Sequence, residues 1–217
     1  MRALLAPPCA ALALGLASPV HAADDSFQLW FNPAAEIGLD DDTALEIETA
    51  QRLRPSSAGP DTYYARLWIV QKLDDSFSIA GGIERRVNDG GPDETRLLQQ
   101  VTARSGIWRA RARVEQRFVD NADRMGWRLR TRLGVDVPVT RDERLSFVSS
   151  AETNFTLRAT GVGGDTGLTA LRTHVGLSYD VAENMSLGLG YIRNQDFLDG
   201  RPDRVGHAPQ LTLDLSF

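Results

Sequence analysis

Between residues 107 and 137 the chain carries two segments with arginine at every second position and apolar residues between. Arg109, Arg111, Arg113, Glu115 and Arg117 alternate with Trp108, Ala110, Ala112, Val114 and, after Gln116, Phe118. Arg128, Arg130, Arg132 and Asp136 alternate with Trp127, Leu129, Thr131, Leu133, Val135 and Val137. A period of two is the strand period, so each segment presents one charged and one apolar face. A helix would scatter both sets around its circumference. In a water-soluble sandwich the charged face meets bulk water, and several long cations opposed across neighbouring strands repel one another. A membrane barrel turns apolar side chains to lipid and polar ones to its lumen, in segments of about ten residues separated by turns. Both segments fit that plan.

The N-terminus agrees with export. Arg2, an apolar run over residues 9–17 and Val20-His21-Ala22 read as a signal peptide over 1–22. Pro7 and Pro8 interrupt this region, and the apolar run is too short to span a bilayer. The mature chain, 23–217, has no cysteine, hence no disulfide and no thiolate for metal or nucleophilic chemistry. Its 23 basic and 29 acidic side chains give a formal charge of −6, which argues against nucleic acid as a partner. Lys72 is its one lysine, so the positive charge is almost wholly guanidinium, always ionised and suited to bidentate pairing with carboxylates. No later stretch approaches the roughly 18 apolar residues of a spanning helix, so an integral protein here has to be a barrel.

Turn residues divide the mature chain into candidate strands at 43–54, 62–71, 77–87, 94–103, 107–119, 125–137, 144–157, 168–180, 185–192 and 207–217. The links between them alternate in length. Those at 55–61, 88–93, 120–124, 158–167 and 193–206 are long, and those at 72–76, 104–106, 138–143 and 181–184 are short. Outer-membrane barrels alternate in the same way, with long external loops and short periplasmic turns. Residues 27–39 would add an eleventh strand through the acidic turn Asp40-Asp41-Asp42. Because single-chain bacterial barrels have even counts, the segment 23–42 is either a partial strand or a piece tucked against the wall. The expected fold is all-β, one closed antiparallel transmembrane β-barrel of about 10–12 strands. On the apolar face of its last strand Leu213, Leu215 and the terminal Phe217 resemble the signal read by the outer-membrane assembly machinery.

Short motifs carry a resemblance through most of the mature chain. They are Gln28-Leu29-Trp30, Glu94-Thr95-Arg96 followed by Gln99-Gln100, residues 111–117, 152–155 and 172–179, and Gly190-Tyr191. In these the chain resembles a family of Gram-negative outer-membrane barrels known only as a domain of unknown function. The resemblance implies a fold and a compartment and brings no activity with it.

The charged face suggests what the lumen does. With each hairpin registered on the middle of its link, Glu84 falls opposite Arg96, Arg96 opposite Glu115, Glu115 opposite Arg128, Arg128 opposite Glu152, and Glu152 opposite Arg172. Glu94 falls opposite Arg117. The result is a belt of alternating sign. Its first reading is a structural ion-pair network that fills a barrel too narrow to be a porin. A second is a channel for a small solute, in which the basic cluster Arg109, Arg111, Arg113, Arg130 and Arg132 favours anions, unless Glu46, Glu48, Asp136 and Asp214 neutralise it. A third is a lipid hydrolase. Such enzymes place histidine and serine two apart on one strand, whereas Gly176 stands two beyond His174 and Ser178 is roughly 13 Å along the strand. His174 therefore reads as a lumenal hydrogen-bonding residue, His207 as a loop residue, and the chain as no enzyme.

The remaining signals are weaker. Neither the 161–165 glycine loop nor Asn88-Asp89-Gly90-Gly91 precedes a helix or has calcium-site spacing. Asp40-Asp41-Asp42 reads as a tight turn, and no cofactor or metal is expected. The expected partners are outer-membrane lipid, the assembly machinery and a small solute.

Overall fold

The computed structural model describes residues 24–55, 59 and 61–217; the signal peptide expected at 1–22 lies outside them. Among the described residues there are twelve strands and no helix. The first half comprises β1 (Asp24–Phe27), β2 (Leu29–Gly38), β3 (Thr43–Leu53), β4 (Thr62–Lys72), β5 (Phe77–Asn88) and β6 (Glu94–Ser105). The second half comprises β7 (Trp108–Val119), β8 (Gly126–Pro138), β9 (Leu145–Arg158), β10 (Gly167–Ala182), β11 (Met185–Asp196) and β12 (Arg204–Ser216). Each element follows a period-two stretch and ends at turn residues, so the expected strands lie within a few positions of those found. The largest difference is at β11 and β12. They run on through Asp196 and begin at Arg204, because Arg193–His207 and Asn194–Gly206 keep pairing beyond the apolar stretch. His207, expected in a loop, therefore lies inside β12 on the outer face, with Nδ1 bonded to the Tyr191 hydroxyl.

Strands β2 to β12 form a closed ring in sequence order, each antiparallel to the next, and β12 closes it by pairing parallel with β2. An all-antiparallel ring is thus corrected at one seam. Where neighbours alternate in direction, an odd number of strands must leave one parallel pair, and eleven strands form this wall. β1 extends β2 along β12 in the same register, since Phe27 stands opposite His207 and Trp30 opposite Gln210. Residues 24–38 therefore make a full strand of the seam. The terminal Phe217 lengthens it further, donating its N–H to the Glu36 carbonyl at 2.9 Å and accepting from the Gly38 N–H at 2.9 Å. The N-terminal strand enters at the long-loop end, and the chain ends at the short-turn end.

Two turns set register differently from the midpoint rule. Ser105 pairs with Trp108, so Gly106 and Ile107 form the tip, with Gly106 at φ +53°. Arg96 consequently faces Arg117, and Glu115 faces Leu98. Between β8 and β9 the tip moves toward Glu143, which has φ +57°, and Arg132 rather than Arg128 faces Glu152. The register at Glu84–Arg96, Glu115–Arg128 and Glu152–Arg172 is the one expected.

The wall is greasy outside and charged inside. Among the described residues thirty-four large apolar side chains are exposed, including Ile69, Leu133, Leu177, Leu189 and Leu211. Glu84 and Glu115 are 0% exposed and Glu152 2%, while the buried apolar cluster among the described residues is Trp30, Ile192 and Ala208.

Candidate functional site

Strands β3 to β10 each contribute long polar side chains to the lumen at mid-height, where three glutamates gather the surrounding arginines. Glu84 of β5 accepts from Arg66, Arg86 and Arg96, the last at 3.2 Å. Glu115 of β7 accepts from Arg128 and from Arg130 at 2.9 Å, with Arg96 at 3.7 Å. Glu152 of β9 takes Arg111 and Arg130, Arg132 at 3.2 Å and Arg172 at 3.3 Å. Two outlying carboxylates complete the set. Glu48 pairs with Arg66, and Glu94 holds Arg96 and Arg117 at 2.5 Å each. Arg96 and Arg130 thus link neighbouring glutamates into one continuous belt, which no pair of facing residues would do alone.

The six belt residues expected from sequence are all in this network, with two altered contacts. Arg128 pairs with Glu115 and not with Glu152, because Arg130, two residues on, spans the gap between the two glutamates. Arg96 reaches Glu115 diagonally, since Arg117 occupies the position opposite. The basic cluster does not form a separate ring. Arg111, Arg130 and Arg132 converge on Glu152, Arg109 pairs with Asp136 at 3.3 Å, and Arg113 donates to Gln100. Glu46 and Asp214 form no ion pair with the cluster.

Aromatic rings complete the packing. Trp68 lies flat on Gly82 of β5, where an added Cβ would come within 2.5 Å of the indole. The Arg113 and Arg66 guanidiniums lie over the Trp68 ring at 4.8 Å and 5.6 Å, so the glycine and the two cations together hold it. Trp30 of β2 receives Arg52 at 4.0 Å and Arg172 at 4.8 Å, and Arg52 also lies 5.3 Å from Tyr64. Arg52 and Tyr64 did not emerge as site residues from the sequence. The sequence signal for Arg52 is that it shares one strand face with Glu46 and Glu48; Trp30 belongs to the Gln28-Leu29-Trp30 motif, which by itself says nothing of the lumen.

The belt leaves a cavity on each side. One of about 370 Å³ opens toward the short turns and is lined there by Gly188, Gly190, Ser150 and His174; the His174 ring packs on Gly190, where an added Cβ would come within 2.3 Å of its Nε2. His174 faces this lumen opposite Ser150, and no side-chain hydrogen bond joins them. The other, about 610 Å³, opens among the long loops. Trp30, Arg52, Arg130 and Arg172 border both cavities and form the partition between them.

The remaining expected features fall at the ends of the wall. Leu213 and Leu215 sit on the seam opposite Pro33 and Ala35, and Phe217 is exposed. In the β2–β3 turn the Asp40 carboxylate accepts from the N–H groups of Asp42 at 2.9 Å and Thr43 at 2.7 Å. Hydrogen bonds from the Asp42 backbone and from Thr43 hold its carboxyl below the usual range. Its charge closes the turn. Among the described residues no group of His, Cys, Asp and Glu is placed to hold a metal ion.

A family model described as a protein of unknown function (DUF2490) matches residues 27–205, which contain the whole belt and most of both cavity linings. No curated protein matches the chain.

Proposed function

The chain belongs to that family of unknown function, and from this premise we propose that it is an integral outer-membrane barrel whose lumen is closed by the arginine–glutamate belt. The observation that carries the reading is the inverted partition of side chains. Thirty-four exposed large apolar groups, each worth about 1.5–3 kcal/mol on full burial, would forgo on the order of tens of kcal/mol in water. A folded domain has only about 5–15 kcal/mol of net stability. Contact with acyl chains removes that penalty. The height agrees, since the 12 residues of β5 at about 3.4 Å each, tilted by about 40°, rise roughly 30 Å against an apolar band of about 25 Å.

In this reading the N-terminal segment directs export, and the assembly machinery engages the β12 edge that ends in Phe217. The external side carries the long loops. The belt serves as a structural plug and not as a catalytic centre. A second reading, a small anion-preferring channel, is favoured by the excess of arginine over carboxylate at the partition.

Fractionation of a Gram-negative host expressing the full chain tests the proposal. Recovery in the outer-membrane fraction, resistant to extraction by urea, is expected; soluble periplasmic protein stable without detergent overturns it. Planar-bilayer recording separates the two readings, because a closed plug gives no conductance and a channel gives anion-selective steps.

A further inference from the structure

Among the described residues Arg52 forms no ion pair. It is 8% exposed, its Nε is buried without an acceptor, and no carboxylate of the described residues stands at ion-pairing distance. Its described neighbours are the faces of Trp30 and Tyr64. Every other arginine bordering both cavities shares Glu152. A buried charge without a partner is unfavourable unless something supplies the opposite sign, and cation–π contact replaces only part of the lost hydration.

The cavity above Arg52 has the matching electrostatics. Among the described residues nine arginines and three acidic side chains line the 610 Å³ space. Five of those arginines, Arg86, Arg96, Arg128, Arg130 and Arg172, also reach Glu84, Glu115 or Glu152 at the belt, and the balance stays positive. Uncharged donors and acceptors lie between the cations: Thr62, Asn88, Asn154, Thr156 and Asn194. The Asn154 Oδ1 is buried with no partner. Guanidinium groups at the floor with amides and hydroxyls on the walls are the complement of an oxyanion attached to a polyol.

We propose that this loop-side cavity is a binding site for a small phosphate monoester, with the phosphate on Arg52 at the floor and hydroxyl groups of the solute against the asparagine and threonine side chains. Trp30, Arg130 and Arg172 line the floor beside Arg52 and also border the cavity beyond it, so the ligand enters from the loop side and rests on the belt. The site is built from the lumen alone and does not depend on where the barrel resides.

Calorimetric titration of the folded mature protein with glucose 6-phosphate, and with glucose as control, tests the assignment. Saturable binding of the phosphate ester and none of glucose is expected. Arg52→Gln should weaken binding about tenfold or more, as loss of one charged bidentate contact implies. Arg109→Gln, at the opposite mouth, should leave it unchanged. No binding to the parent protein, or equal binding to Arg52→Gln, overturns the proposal. Should Arg52→Gln not fold, the parent protein still carries the test. The ligand must shift the indole N–H resonance of Trp30, 4.0 Å from the Arg52 guanidinium, and leave that of the outward Trp108 in place. An unmoved Trp30 resonance overturns the site.

Discussion

Arg111 and Arg132 stand directly opposite each other across β7 and β8. The like-charged pair persists because Glu152, on the next strand, accepts from both. The same device recurs where Arg96 faces Arg117 and Glu94 holds the two. One carboxylate serving several guanidiniums is efficient only where water is excluded, and it concentrates the stability of the lumen in a few acidic residues.

Glu152 is therefore the most sensitive point. Glu152→Gln leaves four arginines short of a charge, and the cost expected for breaking a buried pair is about 3–5 kcal/mol. Urea unfolding in detergent micelles measures it. A loss within a few tenths of a kcal/mol would show that the lumen is hydrated enough to screen the network.

Glu115 and Arg128 are in register and bonded, with the carboxylate fully buried. A double-mutant cycle with Glu115→Gln and Arg128→Gln should return a coupling energy of about 0.5–3 kcal/mol. Additive effects would mean that the two side chains do not act together.

Leu129 lies on the outer face between Val114 and Phe155. Leu129→Arg should cost about 2–4 kcal/mol if that face meets the bilayer mid-plane, and the amount of assembled barrel should fall accordingly. Unimpaired assembly is incompatible with a lipid-facing wall at this height.

Gly82 is closed to any side chain by the Trp68 ring and the Leu67 carbonyl oxygen, 2.5 Å and 2.6 Å from an added Cβ. Gly82→Ala should destabilise by about 1–3 kcal/mol through displacement of the ring and of the neighbouring strand backbone, and the disturbed contact with Arg113 should appear as a changed near-ultraviolet circular dichroism signal. An unchanged spectrum places the indole elsewhere.

The wall was legible in the sequence because a period of two survives any tertiary context, and outward Leu129 or Leu177 cannot be exchanged for inward Arg130 or Ser178 without reversing every neighbour. Register was legible only across links whose tips are central, as at Glu115–Arg128. It moved where one left-handed residue, Gly106 or Glu143, shifted the tip. The parallel seam was harder to foresee, because it follows from closure of an odd ring and not from any feature of residues 27–39 alone. Arg52 was illegible for the same reason: its neighbour Trp30 becomes a floor residue only when β2 joins both β3 and β12.

The sidedness of the wall can be measured directly, since residues 23–217 contain no cysteine. Spin labels at Leu133→Cys and Leu189→Cys, read in lipid bilayers by power saturation, report collisions with lipid-soluble oxygen and with a water-soluble nickel chelate. The account predicts high oxygen and negligible nickel accessibility at both positions; frequent collisions with the nickel chelate there would contradict it.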